Sequence, residues 1–134
     1  DLIHLCYSGR YTEEQLKKRV AGQAGLMAHL GTTDILQIMQ MIEQGNERAR
    51  LLINAMIFHT AKQIAAEGAV LCGRVDAILL TGGMAHSAYI TEGIKQRVSY
   101  LAPVHVFPGE DEMEALALNA LAVLRGECQA KEYE

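Results

Sequence analysis

Apolar residues recur at helical spacing in four stretches of the chain, and each stretch predicts a helix with one buried face. The helices are expected from about residue 35 to Gly45, over roughly 47–71, from Ser87 to beyond Val98, and from 112 to about 124. The expected inward positions are Ile35, Ile38, Met39 and Ile42; Ile53, Met56, Ile57, Ala61, Ile64, Gly68 and Leu71; Ile90, Ile94 and Val98; and Met113, Leu116, Ala117, Ala120, Leu121 and Leu124. The pattern therefore predicts a helix-rich protein.

The first thirty or so residues have a weaker pattern. Leu2–Tyr7 is apolar and fits either the end of a helix or a strand. Thr12 followed by Gln15 fits a capping box, which predicts a short helix toward Val20. Leu26–Leu30 is expected to form a brief edge strand, and Asp34 is placed to cap the helix that follows.

One short stretch differs from the helical pattern. Ala77–Leu80 is an unbroken apolar run, typical of a strand that is covered on both faces. Thr81 is expected to end the strand, and Gly82 and Gly83 follow it. Two glycines at this position allow a sharp turn and let a ligand approach the backbone. Ser87 is placed to cap the next helix.

A second short strand is expected at Val104–Phe107, just after Pro103. Strand, glycine turn, helix and strand within about thirty residues form a βαβ unit. Ligands of open α/β sheets bind outside the carboxyl ends of the strands. The hypothesis that follows is a nucleotide pocket at Gly82–Ser87.

Composition indicates an ordinary globular protein. The chain has 134 residues, of which 50% are apolar and 21% charged, with a net charge of −4. Basic residues form no stripe, so nucleic acid is not an expected partner. Apolar runs are too short to cross a bilayer, so no membrane association is expected. Cys6, Cys72 and Cys128 lie far apart and show no metal-ligand spacing, which favours reduced thiols in the cytoplasm.

The predicted sheet is small for the number of helices. Four or five helices accompany two good strands and one doubtful strand, although a strand covered on both faces expects a larger sheet. The chain also begins at Asp1 rather than Met. We therefore expect further strands to precede Asp1 in a longer protein.

Three stretches resemble the butyrate kinases. They are 2–34, with Cys-Tyr-Ser-Gly-Arg-Tyr-Thr and His-Leu-Gly-Thr-Thr-Asp, 75–85, with Thr-Gly-Gly-Met-Ala, and 103–118. Butyrate kinases belong to the acetate kinase group within the superfamily of actin, sugar kinases and heat-shock ATPases. The order is consistent over the whole chain, which resembles the carboxyl-terminal domain only. The resemblance implies an incomplete α/β domain of the ribonuclease H-like, actin-type ATPase fold.

The resemblance also implies a function. Family members transfer a phosphoryl group reversibly from ATP to a short-chain carboxylate, with magnesium, giving an acyl phosphate and ADP. Their active site lies between two similar domains, and the first carries the phosphate hairpin and most catalytic groups. This chain resembles the second, adenosine-side domain, so no catalytic residue is expected in it, and the chain alone is expected to be inactive.

The family's adenosine motif matches the glycine turn residue by residue. Gly82 and Gly83 match glycines that let the nucleotide lie against the backbone, and Met84 and Ala85 continue that turn. Ser87 falls where acetate kinases have an asparagine, so it is a candidate nucleotide contact as well as a candidate helix cap.

Acidic residues match two further family positions. Asp34 matches an aspartate near the ribose and adenine, although a plain helix cap explains it equally well. Glu110 and Glu112 fall where relatives have a glutamate near the metal, although acidic residues also favour a helix start. They are the candidate magnesium residues.

Three positions depart from the family pattern. Leu36 replaces an expected arginine, His86 a tyrosine, and Asn119 a glycine. These changes affect the expected nucleotide binding rather than the fold.

Two functional classes remain open at this point. One is the nucleotide-side domain of a butyrate kinase, or of a kinase for propionate, isobutyrate or acetate. The other is a non-catalytic interaction module that uses its apolar helix stripes for subunit contact. Related kinases are dimers built through this domain, so a homodimer is expected under either reading.

Overall fold

The computed structural model describes residues 2–109 and 112–130. They contain seven α-helices, two strands and one 3₁₀ turn. The elements are α1 Leu2–Tyr7, α2 Glu13–Val20, α3 Gly25–Leu30, α4 Ile35–Glu43, α5 Glu47–Val70, β1 Ile78–Gly82, the 3₁₀ turn Gly83–His86, α6 Ala88–Val98, β2 Val104–Pro108 and α7 Glu112–Leu124. Two compact units divide the chain, Asp1–Ala66 and Glu67–Glu134.

Helix α2 begins with the capping box that the sequence predicts. The Thr12 hydroxyl accepts a hydrogen bond from the Gln15 amide at 3.3 Å, and Gln15 Oε1 accepts one from the Thr12 amide at 2.9 Å. Each side chain thus satisfies a donor that the helix leaves without a partner. The stretch Leu2–Tyr7, ambiguous in sequence, is helical.

The edge strand expected at Leu26–Leu30 is wrong, because this segment is helix α3. Gly31 follows it with φ 73° and ψ 6°, the left-handed conformation in which a helix commonly ends. Leucine, methionine and alanine also favour a helix over a strand. The glycine marks the end of a helix here rather than a turn after a strand.

Helices α4 and α5 supply the core of the first unit. Ile38 and Ile42 of α4 are buried, and Ile35 and Met39 are half-buried, as the spacing predicts. Helix α5 buries Ile53, Ile57 and Ala61 along the predicted stripe and also Ala49, which the prediction did not include. Leu71 was expected inward but is exposed, one residue beyond the end of α5 at Val70.

The second unit contains the predicted βαβ arrangement. Strands β1 and β2 pair in parallel, with Ile78 opposite Val104 and Gly82 opposite Pro108. Helix α6 connects them and buries Ile90, Ile94 and Val98, the three residues of the predicted stripe. Thr91 is also buried, and its hydroxyl donates to the Ser87 carbonyl at 3.2 Å.

The expected cover on both faces of β1 is wrong for the residues described. Ile78 is buried and Leu80 half-buried, whereas Leu79 is 61% exposed. The strand partner of Leu79 is His105, and Phe107 is likewise exposed on the same face of β2. Side chains of a strand alternate between faces, so one face of this sheet packs and the other lies open. Thr81, expected to end the strand, continues it to Gly82.

Helix α7 has the predicted bounds, but its expected inward face is wrong. Met113, Leu116, Leu121 and Leu124 are exposed, and of residues 113–124 only Ala122 is half-buried. Apolar residues surround this helix rather than forming one stripe, so helical spacing alone does not show which face packs.

The described helices include none that is long and apolar enough to span a bilayer.

Candidate functional site: the glycine turn after β1

Gly82 has a backbone conformation that only glycine adopts readily. Its φ is 84° and its ψ is 179°, a region that a β-carbon makes costly. Reciprocal backbone hydrogen bonds tie it to Gly109, from the Gly82 amide to the Gly109 carbonyl at 3.1 Å and from the Gly109 amide to the Gly82 carbonyl at 3.3 Å. The end of β1 is thereby fixed to the residue that follows β2.

Gly109 was not singled out by the sequence reasoning. Its φ of 102° also favours glycine, and a β-carbon on it would lie 3.6 Å from His86 Nε2. The side chain of His86, the last residue of the 3₁₀ segment, therefore lies beside Gly109. The signal that could have identified Gly109 is the Pro-Gly pair that follows the second predicted strand.

Gly83 contributes a different property. Its φ is not in the left-handed region, and a β-carbon built on it would have no atom within 4 Å outside its chain neighbours. Another residue type would therefore fit Gly83 without strain, while glycine leaves its backbone open to approach. An open backbone at the carboxyl end of a parallel strand pair is what a bound nucleotide requires.

Met84 and Ala85 continue the turn in the predicted order, within the 3₁₀ segment Gly83–His86. Ala85 is buried, whereas Met84 is 52% exposed. The side chain of Ala85 therefore packs into the interior, whereas the thioether side chain of Met84 is accessible next to Gly83.

Ser87 stands at the N-cap position of α6, but its side chain makes no capping hydrogen bond. Its carbonyl oxygen instead accepts two hydrogen bonds in the first turn of α6, from the Thr91 amide at 3.0 Å and from the Thr91 hydroxyl at 3.2 Å. The cap interpretation of its hydroxyl is thus wrong, because the hydroxyl does not cap α6.

Asp34 shows the opposite outcome. Its Oδ1 accepts from the amides of Leu36 at 2.9 Å and Gln37 at 3.4 Å, so it caps α4 as the sequence allows. Asp34 lies in the first unit and the glycine turn in the second. A nucleotide pocket that both share stays a prediction.

The candidate magnesium residues are not tested by the geometry. Glu110 lies outside the described residues, and Glu112 is known only as the first residue of α7. Within 2–109 and 112–130, no three His, Cys, Asp or Glu side chains are grouped to hold a metal ion. Magnesium in nucleotide sites needs only one or two carboxylates plus phosphate oxygens, so the proposed pair would be sufficient in number.

Comparison with known proteins places the chain in a family. The profile of the Acetokinase family matches residues 2–115. A curated relative, the "Probable butyrate kinase" of Bacteroides thetaiotaomicron, is 56% identical over 133 residues. That match covers 99% of this chain but 38% of the relative, so the chain spans well under half of the relative's length.

A solved structure supports the fold independently. The crystal structure of Porphyromonas gingivalis acetate kinase matches with a TM-score of 0.78 at 20% sequence identity. The match covers 92% of this chain and 37% of that one. The helix-rich architecture with a short parallel sheet is thus a partial actin-type ATPase fold, and the chain belongs to the acetokinase family.

Proposed function

We propose that this chain is the nucleotide-side domain of a two-domain carboxylate kinase of the butyrate kinase type. The whole protein would transfer a phosphoryl group from ATP to a short-chain carboxylate, giving an acyl phosphate and ADP, and would run the reverse reaction. The 56% identity to a probable butyrate kinase supports butyrate rather than acetate as the carboxylate substrate. Propionate and isobutyrate are the nearest alternatives.

The geometry of the turn carries this proposal. Three features lie within six residues: the special conformation of Gly82, the open backbone of Gly83 and the hydroxyl of Ser87, which does not cap α6. A turn that only reverses the chain needs the first feature and not the other two. The open backbone of Gly83 and the Ser87 hydroxyl would receive the adenosine side of the nucleotide.

The residues of this chain would bind and position rather than react. Gly82 and Gly83 would let the nucleotide lie close to the backbone, with Met84 and Ala85 forming the rest of the turn and Ser87 donating a hydrogen bond. Asp34 would use its remaining carboxylate oxygen toward the ribose. Positioning of this kind contributes much of the catalysis in phosphoryl transfer.

Magnesium would neutralise the charge of the nucleotide phosphates. Glu110 and Glu112 are the residues of this chain proposed to hold it, at the start of α7. No catalytic residue is assigned here, since the groups that contact the transferred phosphoryl are expected in the other domain.

Activity measurements test whether nucleotide binding lies in this chain and the catalytic groups lie in the other domain. The longer protein should form acyl hydroxamate from ATP, magnesium, butyrate and hydroxylamine, and these 134 residues alone should not. Acyl hydroxamate above background from the 134 residues would refute the proposed division.

A second candidate function is subunit association, and the exposed apolar residues of α7 favour it. We propose a homodimer in the cytoplasm, which is compatible with the kinase reading. ATP binding discriminates between the classes: a nucleotide domain should melt at a higher temperature with ATP. A pure interaction module should instead show concentration-dependent stability and no response to ATP.

A further inference from the structure

The first unit contains a cationic cleft that the proposed nucleotide turn does not involve. Its volume is about 510 Å³, and it is lined by Arg19, Gln23, Ala24, Gly25, Ala28 and His29. The cleft brings the end of α2 together with α3.

Arg19 differs from its neighbours in how its charge is compensated. Lys17 and Lys18 each form an ion pair with the glutamate four residues earlier in α2, Glu13 and Glu14. Arg19 pairs with no carboxylate among residues 2–109 and 112–130. Its guanidinium instead lies over the ring of Tyr11, 4.5 Å from the centroid. The ring holds the guanidinium in place while its N–H groups stay available.

Arg48 in α5 resembles Arg19 in that a neighbouring basic residue has a carboxylate partner and, within the described residues, it does not. Arg50 pairs with Glu47 at 3.7 Å, whereas Arg48 has no carboxylate partner in the described part of the chain. Arg48 Nη2 lies 3.3 Å from His29 Nδ1. Arginine can only donate, so Nδ1 accepts in this hydrogen bond and the ring hydrogen lies on Nε2. The contact with Arg48 therefore makes His29 a donor at its other nitrogen.

Arg19 and His29 thus line one polar cleft, and Arg48 contacts the His29 side chain, in a chain of net charge −4. Guanidinium groups match the oxygens of phosphate in geometry as well as charge. We propose that this cleft, here called the Arg19–His29–Arg48 cleft, binds a phosphate group. The cleft shares no residue with the adenosine-side turn, and its proposal does not depend on the proposed kinase function.

The test uses the five histidines as local probes. The His29 ring signal in a carbon–proton correlation spectrum of the protein is followed during titration with inorganic phosphate at constant ionic strength. A saturable shift is expected. Acetate at the same ionic strength should shift it much less, because a monoanion with two oxygens satisfies fewer of the donors. Glycerol phosphate in place of phosphate separates a free ion from a phosphate carried on a small molecule.

Substitutions connect the shift to the cleft. Arg19→Gln and Arg48→Gln should each weaken phosphate binding by about threefold to tenfold, the range between an exposed and a well-formed charged contact. Arg74→Gln, which removes an exposed arginine of the second unit, should leave the affinity unchanged. Gly83→Val should also leave it unchanged, so failure here is distinguishable from failure of the nucleotide proposal.

Three results would overturn the proposal. They are a His29 signal that does not move with phosphate, an equal response to acetate, and equal affinity in wild type and Arg19→Gln. The wild-type titration decides the first two even where a substituted protein does not fold.

Discussion

Helix α7 is richer in apolar residues than the βαβ segment 78–108, yet fewer of its described side chains are buried. In α6, Ile94 and Val98 are 6% and 0% exposed, whereas Leu116 and Leu124 of α7 are 65% and 82% exposed. The α6 stripe is narrow, because the residues between its apolar positions include Lys95, Gln96 and Arg97. A stripe bounded by polar residues defines its own buried face, and a helix that is apolar all round needs another surface to define it.

The largest expected effect separates these two helices directly. Ile94→Ala should lower the free energy of unfolding by about 2–4 kcal/mol, because it leaves a cavity beside the sheet. Leu116→Ala in α7 should change it by less than about 0.5 kcal/mol in the monomer, since the side chain is exposed. Urea unfolding at low protein concentration measures both. Equal losses would show that α7 packs as tightly as α6.

A smaller effect is expected within the turn that leads into α6. Gly82→Ala should destabilise the protein by about 1–3 kcal/mol, because φ 84° with ψ 179° is strained for any residue with a β-carbon. Gly83→Ala serves as the matched control, since its φ is ordinary and its surroundings are open. Thermal melting of the two variants measures the difference. A lower melting temperature for Gly83→Ala than for Gly82→Ala would contradict this expectation.

Measurements of self-association should show whether the exposed apolar residues of α7 lie in a dimer interface. Leu116→Glu should weaken self-association by at least about tenfold if α7 lies in the dimer interface, because a carboxylate would lose its hydration there. Its melting temperature at low concentration should stay within about 2 °C of wild type, as for an exposed position. Sedimentation over a range of concentrations measures the association. A wild-type monomer at high micromolar concentration would remove the dimer from the account.

The smallest effect on stability is expected at Leu36. This residue is 74% exposed on α4, although Ile38 and Ile42 of the same helix are buried. Leu36→Arg should therefore leave the melting temperature unchanged. It should tighten ATP binding by about tenfold to hundredfold in the longer protein, if it restores the charged hydrogen bond of the family's arginine. Calorimetry at fixed salt compares both forms, with Leu51→Arg, another exposed leucine of the first unit, as control.

The sequence predicted elements whose signals are local. The capping box of Thr12 and Gln15 and the stripe through Ile94 each depend on residues within one or two helical turns, and both are present. The segment Leu26–Leu30 failed because its short apolar run fits a strand or a helix, and the left-handed Gly31 decides between them. Burial of α7 could not be predicted, because it depends on surfaces distant in the chain.

The candidate site divides in the same way. The turn at Gly82 and Gly83 was expected from the sequence, since two glycines after an apolar strand have few structural alternatives. Its fixation by Gly109 depends on a hydrogen-bonded pair 27 residues apart in the chain, which no local pattern shows. The roles of Ser87 and Asp34 could be separated only by their hydrogen bonds, because both residue types are equally good caps.

The proposed function depends on a nucleotide that binds at the open backbone of Gly83. Calorimetric titration of the longer protein with ADP tests this most directly, comparing wild type, Gly83→Val and Ala69→Val. The control Ala69→Val creates the same valine side chain, by adding two carbons rather than three, at an exposed helical site of the same unit. We expect Gly83→Val to weaken ADP binding at least about tenfold, while its melting curve without ligand stays close to that of Ala69→Val. Unchanged ADP affinity in a normally folded Gly83→Val protein would contradict it and leave the glycines with no role beyond turning the chain.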